Sequence, residues 1–322
     1  MTAKPFSLNL ANLLLPAVLF AVSLSVGIAD FRWSDVFSLS DSQQVMFISR
    51  LPRTFAIVLT GASMAVAGMI MQILMRNRFV EPSRAGAGQS AALGLLLMSL
   101  LLPAAPLPVK MSVAAVAALI GMLVFMLLIR RLPPTAPLMV PLVGIIFGGV
   151  VEAVATFIAY KNEMVQMLGV WQQGDFSSVL LGRYELLWIT GGLAVFAYLI
   201  ADRLTILGLG ETVSVNLGLN RTAVLWSGLI IVALITSLVI VTVGNIPFIG
   251  LVVPNIVSRL TGDRLRQSLP AVALLGASMV LLCDILGRMI VFPFEIPVST
   301  VFGVLGTALF LWLLLRKPAH AV

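Results

Sequence analysis

The chain reads as an all-α polytopic membrane protein, and three observations lead there. Of its 322 residues, 60% are hydrophobic and only 10% are charged, whereas a soluble domain carries roughly a quarter charged residues. The apolar residues gather in runs long enough to cross a bilayer core of roughly 30 Å, which takes about 20 residues of helix. Short connectors rich in Arg, Pro and Gly separate the runs. At that size the length accommodates about ten spans, so residues 1–322 read as a single transmembrane domain with little outside the bilayer.

The first run, Leu8 to Ala29, is longer than a signal-peptide core and follows one basic residue, Lys4; it reads as an uncleaved first span. Asp30 to Gln44, with Arg32, Trp33, Asp35 and Asp41, is an interfacial segment on the far side. SRLPRT leads into the second span, Thr54 to Met75, whose Gly61, Ser63, Ala65, Ala67 and Gly68 let helix backbones approach closely. RNRFVEPSR closes it. The third span is Ala85 to Leu102; the fourth, Val109 to Ile129, stops at Arg130, Arg131, Pro133 and Pro134; the fifth is Leu138 to Tyr160. Lys161 to Arg183 is polar, with room for one short surface helix, and Tyr184 to Ala201 is the sixth span.

A loop of residues 205–222 follows, centred on LGLGETVSVNLGLNR. Gly208, Gly210 and Gly218 punctuate it, Glu211 opens a short helix and Leu217 closes it. It is longer than two neighbouring spans need, which favours a docking element for another protein over an ordinary connector.

Thr222 to Val243 is the seventh span. The eighth, residues 247–260, offers only about 21 Å of helix at 1.5 Å per residue, and Pro254 interrupts it. It must still cross, because Arg221 before the seventh span and Arg264 and Arg266 before the ninth, Leu269 to Ile290, place both starts on one side. Such a crossing is tolerated where protein or a water-filled cavity covers its free backbone groups. Ile296 to Leu315 is the tenth.

Sorted on this layout, Lys4, Arg76, Arg78, Arg84, Arg130, Arg131, Arg203, Arg221, Arg259, Arg264, Arg266, Arg316 and Lys317 share the N-terminal side and outnumber Arg32, Arg50, Arg53, Lys110, Lys161, Arg183 and Arg288 opposite. The excess marks the cytoplasm, so both termini are expected there. These are topology signals at helix ends, with no basic stripe between aromatics, which argues against nucleic acid.

None of Lys4, Lys110, Lys161 and Lys317 sits in a phosphate-cradling glycine loop, so ATP hydrolysis is not expected of this chain. No catalytic motif, paired carboxylates or metal-ligand cluster is in view: Cys283 is the single cysteine and His320 the single histidine. Within spans, Glu152 is a candidate for an ion-coupled carrier. Asp284 and Arg288, four apart, suit either an internal pair or a functional role. Arg50 and Arg53 are either interfacial anchors or receivers for acidic residues of a soluble partner.

Six phrases, SRLPRTFAIVLTGASMAVAGMIMQ, NRFVEPSRAGAGQSAALG, ETVSVNLGLN, GNIPFIGLVVPNIVSRLTGD, LLCDILGRMI and EIPVSTVFGVLGTALFLWLLLR, resemble in this order the FecCD-type, BtuC-like permeases of bacterial ABC importers for ferric siderophores, haem and cobalamin. The resemblance implies a ten-helix inner-membrane permease with no bound cofactor. It would pair with a second permease, a sister chain more than an identical copy, above two ATP-binding-cassette ATPases that hold ATP and magnesium. A substrate-binding protein would dock on the other side. Glu211, Leu217 and Gly218 would then lie on the ATPase; Arg50, Arg53 and Arg288 would face glutamates of the binding protein. Asn77 and Phe79 would close the path at its cytoplasmic end, with Pro134 and Thr135 at a second constriction. Pro247, Asn255 and Ser299 depart from the commonest family pattern and, with NRFVEPS, look more like the catecholate-siderophore subgroup than like cobalamin permeases.

Overall fold

The computed structural model describes residues 10–27, 44–129, 131, 139–262 and 264–315. Helix α1 covers Leu10–Ser25. A π-helical turn, Met46–Arg50, runs directly into α2, Leu51–Leu74, and a 3-10 turn, Pro82–Arg84, precedes α3, Ala87–Leu101. Then come α4 (Leu107–Ile129), α5 (Met139–Lys161), the short α6 (Val165–Gln172), α7 (Leu186–Leu199), α8 (Ala201–Gly208) and α9 (Glu211–Asn216). Helices α10 (Arg221–Val243), α11 (Ile249–Thr261), α12 (Leu265–Met289) and α13 (Val298–Leu315) complete the bundle. Among the described residues, extended pairing is limited to an isolated parallel bridge between Gln173 and Asn245.

Six helices are long and apolar enough to cross a membrane, or seven if α7 and α8 form one span bent by 65°. That is fewer than the ten expected. The difference lies in three shorter apolar helices, α1, Ala87–Leu101 and Ile249–Thr261, the latter two only about 20 Å long at 1.5 Å per residue.

Helix α2 is the axis on which the others pack. Of its most apolar stretch 72% is buried within the chain, against 22% for α5 and for α13. The small residues explain how. A Cβ added at Gly61 would stand 2.6 Å from the Gly276 carbonyl oxygen of α12, and one at Gly68 would stand 2.2 Å from that of Gly250 in α11. The backbones therefore touch at both crossings, a close approach that in lipid replaces the hydrophobic drive of a soluble core.

The expected break at Pro254 is not there: α11 runs unbroken through it. Proline has no N–H for the carbonyl four residues back, which is that of Gly250. The Gln72 side chain of α2 supplies the missing donor, Nε2 to Gly250 O at 3.0 Å, and Asn255 Nδ2 donates to Leu251 O at 2.7 Å. With its freed carbonyl satisfied by a neighbour, the helix has no reason to end.

Candidate functional site: the two ends of the bundle

Twenty-four residues of α2 span about 36 Å, so its two ends lie on opposite faces of the membrane. At the Leu74 end the helix closes in a Schellman arrangement: Arg76 N–H donates to Ile73 O at 3.2 Å and Asn77 N–H to Gln72 O at 3.0 Å. The left-handed position, usually glycine, is Arg76 with φ 47°. Asn77 is buried, and its Oδ1 accepts from Phe79 N–H at 2.8 Å. Asn255 of α11 holds the same loop through Arg78 O at 2.9 Å. Phe79 is thereby turned outward, its ring 6.1 Å from Phe310 of α13 in an edge-on arrangement.

Glu81 follows in this loop and is buried. Neither carboxyl oxygen has a hydrogen-bond partner, and Arg84 Nε is 3.6 Å from Oε2. Burial pushes its pKa up to about 7, with Arg84 and, more weakly, the Ser83 side chain and the Phe248 N–H pulling the other way. The Arg84 guanidinium lies over the Phe248 ring, 5.1 Å from its centroid, where Phe248 begins α11 at φ 69°.

The loop of residues 205–222 shares this end, because the Ile73 side chain packs on Gly208 and the Arg76 guanidinium on Gly210. Glu211 opens α9, and Ser214 pins it from beneath by donating to Ile206 O at 3.1 Å and to Gly210 O at 2.5 Å. Asn220 caps α10 by accepting from Ala223 N–H at 3.1 Å. Leu209, Val215 and Leu217 are left exposed, Leu217 at 62%. Gly218 takes φ 70° with open space where a side chain would be. A rigid, short platform with an apolar outer surface is a surface made to be covered.

At the Leu51 end, Arg53 donates to Asp284 Oδ1 at 2.7 Å and to Glu295 Oε2 at 2.8 Å. Arg288 pairs with Asp284 Oδ2 at 2.5 Å, so the i,i+4 pair exists. Its guanidinium also donates to Ser23 O and Val26 O, while Arg50 donates to Leu24 O and Ser25 O. Two cations thus close the C-terminal end of α1, where the free carbonyls and helix dipole favour positive charge. Arg50 and Arg288 are only 7% and 6% exposed.

Of the residues expected at sites, the structure brings Arg50, Arg53 and Arg288 together, and places Asn77 and Phe79 in a loop that follows Ile73 and Arg76, which touch Gly208 and Gly210. Pro134 and Thr135 lie outside the described residues. Glu295, Glu81, Gln72 and Arg76 were not singled out from sequence. Glu81 stands directly before Pro82 and Glu295 two positions before Pro297, in NRFVEPS and EIPVST, and an acid in so apolar a chain is the signal that could have flagged them. Among the described residues, no group of three or more His, Cys, Asp or Glu side chains could hold a metal. Glu152 lies on the exposed face of α5, where with Phe157 and Tyr160 it lines a shallow, open surface groove.

The profile of the FecCD transport family matches residues 14–316. The chain is 48% identical over 305 residues to the petrobactin import system permease protein YclN of Bacillus subtilis (strain 168), across 94% of this chain and 96% of that one. It is 39% identical over 314 residues to the petrobactin import system permease protein FatD of Bacillus anthracis, across 98% and 92%. With the ferric-anguibactin transport system permease protein FatD of Vibrio anguillarum the identity is 38% over 299 residues, across 92% and 95%. A solved chain described as an inward-facing conformation of a metal-chelate type ABC transporter superposes with TM-score 0.82 over 94% of this chain and 97% of that one, at 24% identity, and so shares the fold.

Proposed function

This chain belongs to the FecCD transport family, and from that premise we propose that it carries a ferric siderophore across the bacterial inner membrane as the non-catalytic permease subunit of an ABC importer. The observation that carries the cargo is the 48% identity, over nearly the whole chain, to a petrobactin permease, with the anguibactin relative alongside. A catecholate siderophore is the finer reading. Membership in a family of ABC permeases replaces the ion-coupled carrier built on Glu152.

We count ten crossings: the six long helices, the bent α7–α8 pair and the three shorter apolar helices, the short ones allowed because neighbouring protein covers their ends. The docking loop faces the cytoplasm, with both termini, on the strength of the arginine excess. Two ATP-binding-cassette ATPases cover Glu211, Leu217 and Gly218. The faces of α5 and α13 left open by the fold meet a second permease, a sister chain, around the path. A carboxylate such as Glu152 is costly against lipid and belongs on a face that meets water or protein. Asn77 and Phe79, with Pro134 and Thr135, gate the path at its cytoplasmic end.

The substrate-binding protein docks at the Leu51 end. Arg53 is the contact point, since Glu295 is its more exposed partner and an incoming carboxylate can take Glu295's place. Arg50 and Arg288 shape the rim behind it. ATP binding drives the cycle by its different affinity for the two states.

The test is uptake of radioiron supplied as ferric petrobactin, with haem and labelled cobalamin as comparisons, in cells with and without the chain, and with Gly218→Arg. Loss of the siderophore signal alone, in both the deletion and the variant, is expected. Unchanged siderophore uptake without the chain, or selective loss of cobalamin, overturns the reading.

A further inference from the structure

The junction between the docking loop and the gate loop carries an assignment of its own, resting on the reading of residues 205–222 as the ATPase-coupling element. Three features meet there. The first is a glycine-sized seat: a Cβ added at Gly208 would lie 2.7 Å from Ile73 Cγ2, and one at Gly210, where φ is 125°, would lie 3.1 Å from Arg76 Nη2. Ile73 lies in the last turn of α2 and Arg76 just past its end, so two side chains at the end of α2 press on two glycines of the loop.

The second feature is the choice of Arg76. Its position in the Schellman turn is the one glycine occupies at no steric cost, and a non-glycine residue held left-handed loses about 1–2 kcal/mol. Helix termination is thus better served by glycine. What arginine adds is the guanidinium against Gly210. The third is adjacency: Arg76 is followed directly by Asn77, whose side chain sets Phe79. Behind the seat, Leu74 and Leu204 close on Gly228 of α10 with Cδ atoms 2.9 and 3.0 Å from where its Cβ would be, which leaves the end of α2 no slack.

We propose that Ile73 and Arg76 are positioning residues that lock the end of α2 to the docking loop, so that loop and gate move as one body and displacement of the ATPases is delivered to Asn77 and Phe79. Neither residue touches ATPase or cargo; both act through the gate.

Arg76→Gly separates this role from a structural one. Glycine suits the turn, so the purified permease should melt no lower in detergent than the wild type and bind its ATPase equally well. Siderophore moved per ATP hydrolysed in proteoliposomes should fall about tenfold, within the usual range of coupling free energies, with Arg76→Lys recovering a large part. Wild-type transport per ATP in Arg76→Gly overturns the assignment.

A second arm does not depend on that turn. Gly208→Ala should uncouple in the same way, and adding Ile73→Ala, which removes the obstructing branch, should restore coupling; a double variant no better than the single one counts against the seat. The Cβ positions at 73 and 208 lie 4.0 Å apart, within disulfide range. Oxidising an Ile73→Cys, Gly208→Cys pair should leave transport intact if the two segments travel together, and reductant-reversible arrest refutes that. Gly218→Arg tests the underlying premise separately: if it transports normally, the coupling-loop reading fails, whereas its failure beside a normal Arg76→Gly removes only the present assignment.

Discussion

At its Leu51 end α2 places Arg53 between two carboxylates, with Arg50 and Arg288 spent on the carbonyls of α1. At its Leu74 end it stops on a left-handed arginine and leads into a buried carboxylate that has no hydrogen-bond partner. One helix therefore joins an end tied by several short ion pairs to an end whose buried carboxylate has a single, longer one at 3.6 Å. Dense networks hold one geometry, because each group lost strands its partners. Weakly paired buried charges and sparsely populated backbone angles persist where a second arrangement can relieve them. The contrast assigns rigidity to the Arg53 end and movement to the Glu81 end, and it can be broken from either side.

The largest effect is expected from Arg53→Ala, which leaves Asp284, fully buried, with one cation in place of two. Removing one partner of a buried pair costs about 3–5 kcal/mol, so the permease should fail to accumulate or melt far lower in detergent. Wild-type melting would show that this end is not the rigid one.

Glu81→Gln sharpens the other side. The folded chain holds the Glu81 proton more tightly than the unfolded chain, its pKa lying at about 7 instead of 4.5. Between those values the native state binds more protons, so stability falls as pH rises through the window. Glu81→Gln should flatten that slope and stabilise the permease above pH 7 by up to roughly 3 kcal/mol. Melting curves at pH 5 and pH 8 read it directly; an unchanged slope would mean that the carboxylate is relieved some other way.

Gln72→Leu should cost about 1–3 kcal/mol, the penalty for an orphaned buried carbonyl at Gly250. If melting is unaffected, Pro254 is tolerated without help. Smallest is Glu295→Gln, which loosens the more exposed partner of Arg53. Binding-protein affinity, measured by surface plasmon resonance on the reconstituted permease, should rise by about 1 kcal/mol or less, the worth of a partly exposed pair. A drop in affinity would mean that the binding protein reads Glu295 itself.

Much of this was legible early. The apolar runs foretold the long helices, Gly61 and Gly68 foretold close packing of α2, and the glycines of residues 205–222 foretold a short platform. The break at Pro254 misled, since a proline rule knows nothing of Gln72, which lies 182 positions earlier in the chain and packs against it. The three arginines were readable as a group, but Arg50 and Arg288 not as buried, because their acceptors, carbonyls at the end of α1, carry no side-chain signature.

By itself the sequence determined what depends on local composition and spacing: membrane residence, helix positions, the side on which charge gathers, the absence of a nucleotide loop and, through ordered phrases, the family. Tertiary structure alone decided which polar groups meet: Arg53 with Asp284 and Glu295, Gln72 with Gly250, Arg76 with Gly210. Apolar periodicity is a property of a chain segment, whereas partner choice for a buried charge or carbonyl depends on which distant backbone arrives within about 3 Å, and only the packed bundle settles that.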